Sequence, residues 1–364
     1  MTTVSENRQS ATTTTLTTEE LMERFVGDMN ASARLIMVSL GHRTGLFDVM
    51  STMGPASAAQ IASRAGLHER YVREWLGAMV TSRFVSYNPD QQTCHLPLSS
   101  AACLTRAAVP QNFASMGQWV SVLGAVEGQV LEAFKTGKGV PYCAYHRFHD
   151  VMAEESDQTV GAMLESAILP LEPGLINRLK SGIEVLDIGC GAGRSITKLA
   201  SLFPESRFTG YDLSEEAVGM GNSNAQRQGL KNIQFLINDA TNIDDIQRFD
   251  LIFAFDAIHD QAYPDIVLAN LHRALKDDGC FLMQDIYTSS YLQNNMDHPL
   301  ATFLYTVSCT HCMSVSLAQG GVGLGACWGE ELAQTMLKAA GFAKIEIYRL
   351  EHDIMNNYYV CRKA

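Results

Sequence analysis

Three glycines, Gly189, Gly191 and Gly193, alternate with other residues in EVLDIGCGAGRS (184–195), between a hydrophobic strand pattern and a helix pattern. Glycine lets a turn bring its backbone close to a ligand, because it has no side chain and tolerates positive φ. An acidic residue, Asp187, comes two positions before the first glycine. The segment therefore predicts a site for a nucleotide-like cofactor, either a dinucleotide for hydride transfer or S-adenosylmethionine for methyl transfer.

Two residues help to distinguish these cofactors. The dinucleotide fingerprint G-x-G-x-x-G needs a third glycine where this chain has Arg194. The carboxylate of Asp187 would repel a pyrophosphate, whereas it can pair with the ammonium group of S-adenosylmethionine. Both observations favour S-adenosylmethionine, and a nicotinamide-dependent oxidoreductase is the alternative that they oppose.

Two further acids follow hydrophobic strand patterns. Asp212 in GYDLS is placed to bind both ribose hydroxyls, and Asp239 in INDAT is placed to accept a hydrogen bond from the adenine amino group. Each acid could instead cap the helix that follows its strand. Acids at three successive strand ends favour the ligand, because open α/β sheets bind ligands at the carboxyl ends of their strands.

The second half of the chain alternates short apolar strand patterns with helix patterns from about residue 183 onward. This order predicts a doubly wound parallel sheet with helices on both faces. The last segment, AKIEIYRLEHDIMNNYYVCRKA (343–364), predicts two long strands in a closing hairpin. A dinucleotide-binding domain does not normally end in this way, which again favours S-adenosylmethionine.

The first half of the chain predicts a mostly helical region. Two helices, with breaks at Gly41 and Gly45, precede the helix-turn-helix and hairpin pattern of a winged-helix domain. Threonine and serine dominate the residues before them, which predicts disorder. We therefore expect a disordered tail at 1–18, a winged-helix dimerisation domain at 19–110, a helical connector that covers the active site at 111–180, and the cofactor domain at 181–364.

The series EVLDIGCGAG, GYDLS, NDAT and FDLIFAFDAIHD resembles class I S-adenosylmethionine-dependent methyltransferases over about residues 180–364. With its winged-helix start, the whole chain resembles a bacterial-type two-domain group of small-molecule methyltransferases and, more distantly, plant-type O-methyltransferases. The resemblance implies a Rossmann-like seven-stranded α/β sheet with an antiparallel last strand, and a homodimer formed through the N-terminal domain.

The same resemblance implies a set of cofactor contacts. The methionine end would lie at Asp187 and the glycine loop, and the ribose and the adenine would follow at the next two strand ends. The implied cofactor-binding residues are Asp187, Gly189, Gly191, Gly193, Asp212, Leu213, Asp239, Ala240, Phe255 and Asp256.

Methyl transfer needs an oriented nucleophile and, for many acceptors, a base that removes its proton. His259 in FDAIHDQ is the candidate base, because it directly follows the fourth strand of the predicted sheet. Asp260 could orient the base or bind the substrate. Alternatively, His259 caps the next helix. Plant-type relatives place their base histidine elsewhere, so this role does not come from the resemblance.

The substrate candidates come from two segments outside the strands. An insertion at 287–328, which ends in the glycine-rich GGVGLGACWG, predicts a pocket wall or lid. The segment PYCAYHRFHD in the connector predicts a second contribution. The residues expected to face the substrate are Tyr145, His149, Tyr305, His311 and Trp328. For the three in the insertion, a dimer contact is the alternative.

Composition excludes several classes of protein. The net charge of −12 argues against broad contacts with nucleic acids or anionic membranes. No apolar run reaches the roughly 18 residues of a membrane helix, and the N-terminus lacks a signal-peptide pattern. The nine cysteines are scattered, and the Cys309–Thr–His311–Cys312 cluster lacks a second pair at zinc spacing, so we expect a reduced cytoplasmic protein without a metal.

These patterns predict an S-adenosylmethionine-dependent methyltransferase that acts on a small organic acceptor and releases S-adenosylhomocysteine. The residues do not specify whether the accepting atom is oxygen, nitrogen, sulfur or carbon. The alternative is a winged-helix transcriptional regulator that senses S-adenosylmethionine. That alternative requires a basic face on the second helix of the winged helix, and HERYVREWLGAMV (68–80) offers two glutamates beside its two arginines.

Overall fold

The computed structural model describes residues 15–363. The predicted disordered tail at 1–18 therefore lies mostly outside the described residues. Its last residue already belongs to helix α1 (Thr18–Thr44), which begins with a capping box between Thr17 and Glu20. Sequence patterns alone missed this start, because threonine is common both in disordered tails and at helix N-caps.

The N-terminal region is helical and carries one β-hairpin. Ser57 and Gln60 form a capping box at the start of α3, and Gly66 ends that helix in the left-handed conformation. His68 then caps α4, the second helix of the predicted winged helix. The elements are α1, α2 (Leu46–Ser51), α3 (Ala58–Ala65), α4 (Glu69–Thr81), β1 (Ser86–Asn88), β2 (Thr93–His95) and α5 (Leu98–Leu104).

Gly41 does not break the first helix, contrary to the prediction. It lies inside α1, where a Cβ atom would come within 2.6 Å of the Trp75 ring and 2.8 Å of the Phe47 ring. Helix α1 ends only at Gly45, whose φ is 74°. Gly41 is therefore a packing residue that lets α1 approach the aromatic core.

The connector joins the N-terminal helices to the sheet. A hydrogen bond of 2.6 Å links His42 of α1 to Glu154, and Gln118 donates to the other oxygen of that carboxylate over 2.8 Å. These hydrogen bonds connect α1 to the connector helix that carries Glu154. The connector helices are α6 (Gln118–Gly124), α7 (Glu127–Thr136), α8 (Phe148–Ser156), two π-helical turns (Asp157–Gly161 and Leu164–Ile168), and α9 (Leu175–Ser181).

A seven-stranded sheet forms the rest of the protein, in the order β5-β4-β3-β6-β7-β9-β8. The first five strands of this order are parallel, and β9 is antiparallel to both β7 and β8. The predicted Rossmann-like sheet with an antiparallel last strand is confirmed. The strands are β3 (Glu184–Ile188), β4 (Arg207–Asp212), β5 (Ile233–Ile237), β6 (Phe249–Phe255), β7 (Leu275–Ile286), β8 (Lys344–Tyr348) and β9 (Asn356–Arg362).

Helices cover both faces of this sheet, and the buried strands alternate between two hydrophobic cores. In β6, Leu251 and Phe253 belong to one core, whereas Ile252 and Ala254 belong to the other. Burial on both faces explains why these strands read as continuous apolar runs. The helices after β3 are α10 (Arg194–Leu202), α11 (Glu215–Arg227), α12 (Pro264–Ala274), α13 (Ala301–Val307), α14 (Met313–Ala318) and α15 (Gly329–Ala339).

The insertion after β7 contains α13, a π-helical turn (Ser308–Cys312) and α14, followed by the glycine-rich loop. Ser314 of α14 accepts a hydrogen bond of 2.8 Å from the backbone N–H of Val140, so the insertion contacts the connector. Both segments thus lie together near the carboxyl ends of the strands. Among the described residues, no helix combines the length and apolar character needed to cross a membrane.

Candidate active site

The glycine loop turns sharply between β3 and α10. Its first and last glycines have φ values of 64° and 66°, which side chains rarely adopt. A Cβ atom at Gly193 would lie 2.0 Å from the Phe235 ring, and one at Gly189 would lie 2.6 Å from the Cβ of Ala257. Gly191 has open space around it. Two glycines are therefore needed for packing, and the middle one leaves room for a ligand.

Asp212 lies at the carboxyl end of β4 and holds the glycine loop in place. One carboxylate oxygen accepts a hydrogen bond of 2.8 Å from the backbone N–H of Gly191, and the other accepts one of 2.8 Å from Ser214. Each carboxylate oxygen can accept a further hydrogen bond. Asp212 is thus oriented by the backbone and keeps acceptor capacity for two ribose hydroxyls.

Asp187 is buried, with 4% of its surface exposed. Burial, together with the nearby charge of Asp212, raises the pKa of Asp187 to about 8. A cation next to this carboxyl group would favour its ionised form, because opposite charges attract strongly in a buried site. This position suits an ammonium group and would oppose a phosphate.

Asp239 caps a short 3-10 turn (Ala240–Asn242), which was the alternative considered for it from the sequence. One of its oxygens accepts from both the backbone and the hydroxyl of Thr241, at 2.9 and 2.7 Å. The other oxygen has a longer contact of 3.3 Å with the Asn242 amide. That second oxygen can still serve an adenine amino group. Leu213, which follows Asp212, is half exposed.

These residues fit S-adenosylmethionine. Asp187 is a buried acid that can pair with an ammonium group, and Gly191 leaves open space for the ligand. Asp212 has two oriented carboxylate oxygens that can accept from the ribose hydroxyls. Strand β6, which pairs with β3, ends at Phe255, and the backbone of the following Asp256 adopts a φ of 49°. The structure thus places the predicted cofactor residues along one edge of the sheet; their contacts with the cofactor stay a prediction.

A cavity with about 860 Å³ of empty space, including its mouth, adjoins Phe255 and Asp256. The connector and the insertion supply most of its apolar wall. The apolar side chains that line it include Trp119, Phe148, Met152, Val160, Ile286, Phe303, Leu304, Val307 and Met355. Its polar lining includes both predicted catalytic residues, His259 and Asp260. We take this cavity as the candidate acceptor site.

His259 is buried, and its Nδ1 lies 2.8 Å from a carboxylate oxygen of Asp285. Because an ionised carboxylate only accepts hydrogen bonds, the Nδ1 of His259 carries a proton and donates it to Asp285. The same Asp285 oxygen accepts from the indole of Trp328 at 2.9 Å and from the backbone N–H of Ile286 at 2.8 Å. The capping role considered for His259 is thus replaced by a histidine–aspartate pair.

The environment of His259 changes its basicity. Burial alone lowers the pKa of His259, but the Asp285 carboxylate and contact with Cys312 raise it well above the ordinary value of 6.5. Asp260 is held by a hydrogen bond from the Tyr142 hydroxyl. Burial raises the pKa of Asp260 to about 6, although His259 and Tyr142 act in the opposite direction.

The five predicted substrate residues separate into two groups. Only His311 lines the cavity, where it stacks on Phe148 with ring centroids 3.9 Å apart. Burial, with the charges of neighbouring histidines, lowers the pKa of His311 to about 3, so it is neutral. The other four predicted residues, Tyr145, His149, Tyr305 and Trp328, do not line this cavity.

Each of these four has a different placement. Tyr145 is buried, and its hydroxyl donates to the backbone of Thr310. His149 stacks against Tyr142, with ring centroids 6.5 Å apart. Tyr305 lines a separate surface depression. Trp328 acts through its bond to Asp285, so it positions the acid instead of facing the substrate.

The sequence analysis missed several candidate functional residues. Asp285 lies near the carboxyl end of β7, so the strand-end rule that selected Asp187 could have found it. Trp119 and Glu155 lie on connector helices, and Asp353 lies between β8 and β9. Helix patterns do not show which connector residues reach a cavity formed by distant segments, so no sequence signal pointed to these three.

In the described part of the chain, three side chains with possible metal-ligand atoms lie within 4.8 Å of one another: Asp256, His259 and Asp285. The predicted absence of a metal had considered only Cys309, His311 and Cys312. Ligands of one Mg²⁺ or Zn²⁺ ion, at about 2.0–2.2 Å each, lie at most about 4.4 Å apart. The limit of 4.8 Å does not exclude such a shell, but His259 Nδ1 and one Asp285 oxygen already bind each other over 2.8 Å.

Comparison with protein families gives two matches. A family described as a methyltransferase domain matches residues 179–341. A family described as an Rv2258c-like winged HTH domain matches residues 32–106. The two matches agree with the sheet region and with the helix-turn-helix and hairpin elements, respectively.

Curated relatives match only part of this chain. (S)-Coclaurine N-methyltransferase of Papaver somniferum is 30% identical over 109 residues, which cover 30% of this chain and 31% of that protein. Malonyl-[acyl-carrier protein] O-methyltransferase of Bacillus anthracis is 28% identical over 120 residues, which cover 30% and 42% of the two chains. The matches thus span less than half of the relatives' own length.

Solved structures resemble the protein over nearly its whole length. A putative O-methyltransferase from Nostoc punctiforme superposes with a TM-score of 0.70 at 18% identity and covers 96% of this chain and 100% of that one. Human N-acetylserotonin methyltransferase in complex with S-adenosylmethionine gives a TM-score of 0.68 at 19% identity, with coverage of 96% and 99%. At this level of identity, the likeness concerns the fold.

The sheet topology and the family match over residues 179–341 show that the chain contains a methyltransferase domain. Residues 32–106, which match the Rv2258c-like winged HTH domain, precede the methyltransferase domain. S-adenosylmethionine is the cofactor that the sequence motifs predict for this domain.

Proposed function

We propose that the protein transfers a methyl group to a small organic acceptor bound in the cavity beside His259. The observation that carries the proposal is the position of this cavity, which shares Phe255 and Asp256 with the cofactor edge and contains His259. Its wall is mainly apolar and is formed by side chains of the connector and the insertion. Such a cavity suits a small molecule.

The residues of the chain can perform the remaining steps. When bound, S-adenosylmethionine supplies a methyl group on a positively charged sulfur for in-line displacement. His259 can accept the acceptor's proton at Nε2, because Asp285 holds its Nδ1–H over 2.8 Å. The indole of Trp328 in turn holds Asp285. Phe148 and Trp119 form part of the wall that excludes water.

Labelled cofactor tests this proposal directly. The protein is incubated with methyl-labelled S-adenosylmethionine and a panel of small alcohols, phenols, amines and thiols, and label in the products is measured by mass spectrometry. His259→Gln should lower turnover about 10²–10⁴-fold, because glutamine cannot accept the proton. Affinity for S-adenosylhomocysteine should not change. His95→Gln, at an exposed histidine of the hairpin, is the matched control.

Two results would argue against it. Near-normal turnover in His259→Gln would remove the base and favour an acceptor that is already a good nucleophile. Transfer of label to a protein or nucleic acid, but to no member of the panel, would reject the small-molecule acceptor.

The regulator alternative has little support in α4, the helix that would read DNA. Arg73 forms an ion pair with Glu69 over 2.5 Å, and Arg70 forms one with Glu74; in both pairs the residues are one helical turn apart. Glutamates therefore balance the arginines on this exposed face, whereas a DNA-binding helix needs an excess of positive charge.

The proposal includes a homodimer formed through α1. The first half of this helix carries large apolar side chains that are more than half exposed: Leu21, Met22, Phe25, Val26 and Met29. They recur at helical spacing on one side of the helix. An exposed apolar stripe of this kind is a typical subunit contact, and a second copy of the chain offers an identical stripe to pack against it.

The dimer is tested by changing the apolar stripe while keeping the helix. A triple variant with serine at Leu21, Phe25 and Met29 should elute as a monomer in size-exclusion chromatography with light scattering. A double variant with alanine at the polar positions Glu23 and Asp28 should remain dimeric. A wild-type monomer at micromolar concentration, or an unchanged dimer in the triple variant, would contradict this interface.

A further inference from the structure

The polar groups of the acceptor cavity carry an uneven balance of charge. Four carboxyl groups line it, from Glu155, Asp256, Asp260 and Asp353. None of the described residues that line it is a lysine or an arginine. Among the described residues that line it, His259 carries positive charge when protonated, and Asp285 then balances that charge. The cavity therefore offers an anionic ligand no unpaired positive partner.

The amide side chains of the cavity are oriented as hydrogen-bond acceptors. The carboxylate of Asp353 accepts from the amide nitrogens of Gln284 at 3.2 Å and Asn356 at 3.0 Å, and from the Tyr358 hydroxyl at 2.7 Å. A carboxylate can only accept, so both amides must turn their nitrogens toward it. Their oxygens, Gln284 Oε1 and Asn356 Oδ1, consequently have no hydrogen-bond partner although both residues are at least 95% buried.

Two of the carboxyl groups also lack a cation. Asp256 Oδ1 is buried without a partner. Burial and the charge of Asp285 raise the pKa of Asp256 well above its ordinary value. Glu155 accepts a hydrogen bond of 2.6 Å from the indole of Trp119, and burial with the nearby Asp353 raises its pKa to about 7. Acceptors of this kind suit a ligand that donates N–H groups and carries positive charge.

The rest of the wall is apolar and partly aromatic. Trp119 and Phe148 pack edge to face with ring centroids 5.6 Å apart, and Phe303 lines the same cavity. Aromatic faces attract organic cations as well as apolar rings. The cavity thus combines a wall that prefers an apolar body with acceptors that need a donor.

We propose that the substrate is a lipophilic organic cation, namely an apolar, ring-containing molecule that carries a protonated amine. Its N–H groups donate to the free oxygens of Gln284, Asn356 and Asp256, and the carboxylate of Glu155 balances its charge. Its rings pack against Trp119 and Phe148. This inference rests on the proposed function, because it assigns the substrate class of the same site.

Two other cations could compete for these oxygens. A metal ion is disfavoured at Asp285 Oδ1, because that oxygen already accepts three hydrogen bonds. The positively charged sulfur of the cofactor carries no N–H group, so it leaves the amide oxygens of Gln284 and Asn356 without donors. Both alternatives remain distinguishable by experiment.

The test uses three probes of matching shape and different charge. The full chain, loaded with S-adenosylhomocysteine, is titrated at pH 7.5 with 2-naphthylmethylamine (cation), 2-naphthylmethanol (neutral) and 2-naphthoic acid (anion), and heat is measured by calorimetry. We expect the amine to bind at least tenfold more tightly than the alcohol, and the acid to bind most weakly. Equal affinity for the amine and the alcohol would overturn the proposal.

Variants then locate the preference in the cavity. Glu155→Gln keeps the acceptor for Trp119 but removes the charge, so the preference for the amine over the alcohol should fall at least threefold. Gln284→Met removes an amide acceptor and should lower amine affinity alone. Asp150→Asn, at an exposed position of the same helix as Glu155, is the control and should keep the preference. Retained preference in both Glu155→Gln and Gln284→Met would overturn the proposal.

The remaining outcomes separate this inference from its alternatives. Micromolar binding of Mn²⁺ or Zn²⁺ that displaces the amine would assign the carboxylates to a metal. A Glu155→Gln variant that loses affinity for S-adenosylmethionine, but not for S-adenosylhomocysteine or the amine, would assign Glu155 to the sulfur of the cofactor. Failure of the wild-type protein to bind S-adenosylhomocysteine would overturn the proposed function itself.

Discussion

Replacing Gly193 by alanine should damage the cofactor loop more than the same change at Gly191. Both residues have positive φ, 66° and 52°, so alanine at either costs about 1–2 kcal/mol of backbone strain. At Gly193 the added Cβ would also lie 2.0 Å from the Phe235 ring, whereas Gly191 has nothing within 4 Å. Overpacking of that kind costs about 1–3 kcal/mol. Gly193→Ala should therefore lose about 2–5 kcal/mol of unfolding free energy.

Urea unfolding followed by far-ultraviolet circular dichroism measures both losses, and Gly191→Ala is the matched control. A second change separates strain from overlap. Phe235→Ala opens the space beside residue 193, so Gly193→Ala should cost less in that background, with a coupling energy of about 1–3 kcal/mol. Equal losses at Gly191 and Gly193, or fully additive effects with Phe235→Ala, would refute the packing argument.

Three other changes test separate parts of the structure. Asp285→Asn should lower turnover and shift the rising limb of the pH–rate profile to lower pH. His259 acts as a base when it is neutral, and loss of the Asp285 charge returns its raised pKa toward 6.5. A rising limb at an unchanged pH would exclude this coupling. Gly41→Ala should destabilise the N-terminal region by about 1–3 kcal/mol through its 2.6 Å approach to Trp75, and unchanged thermal unfolding would count against that contact. Asp239→Ser keeps an N-cap side chain but removes the carboxylate. Affinity for S-adenosylhomocysteine should therefore fall, while the unfolding free energy should change by no more than about 0.5 kcal/mol. Unchanged affinity would show that Asp239 only caps the turn.

The sequence predicted the sheet well, because its signals are local, whereas the cofactor contacts at the strand ends stay a prediction. Strand patterns, alternating glycines and strand-end acids each lie within a few residues, and the parallel topology brings Asp187 and Asp212 to the same edge. His259 was found for the same reason, since it follows β6 directly.

The acceptor cavity was predicted poorly, because it is formed by segments that are distant in sequence. Trp119 and Glu155 come from the connector, whereas Asp353 comes from the turn between the last two strands. Trp328 was selected for its size and its lid position, but its indole turns toward Asp285. Side-chain direction within irregular insertions depends on tertiary packing, which residue types and spacing do not reveal.

Calorimetric titration with S-adenosylhomocysteine tests the central claim most directly, because the cofactor site defines the class of the protein. We expect one molecule to bind per wild-type chain and NAD⁺ not to bind. In Asp212→Ala the affinity should fall by about 2 kcal/mol or more, roughly 30-fold, because two charge-assisted hydrogen bonds are lost. Binding of NAD⁺ in preference to S-adenosylhomocysteine, or unchanged affinity in a folded Asp212→Ala protein, would contradict the account.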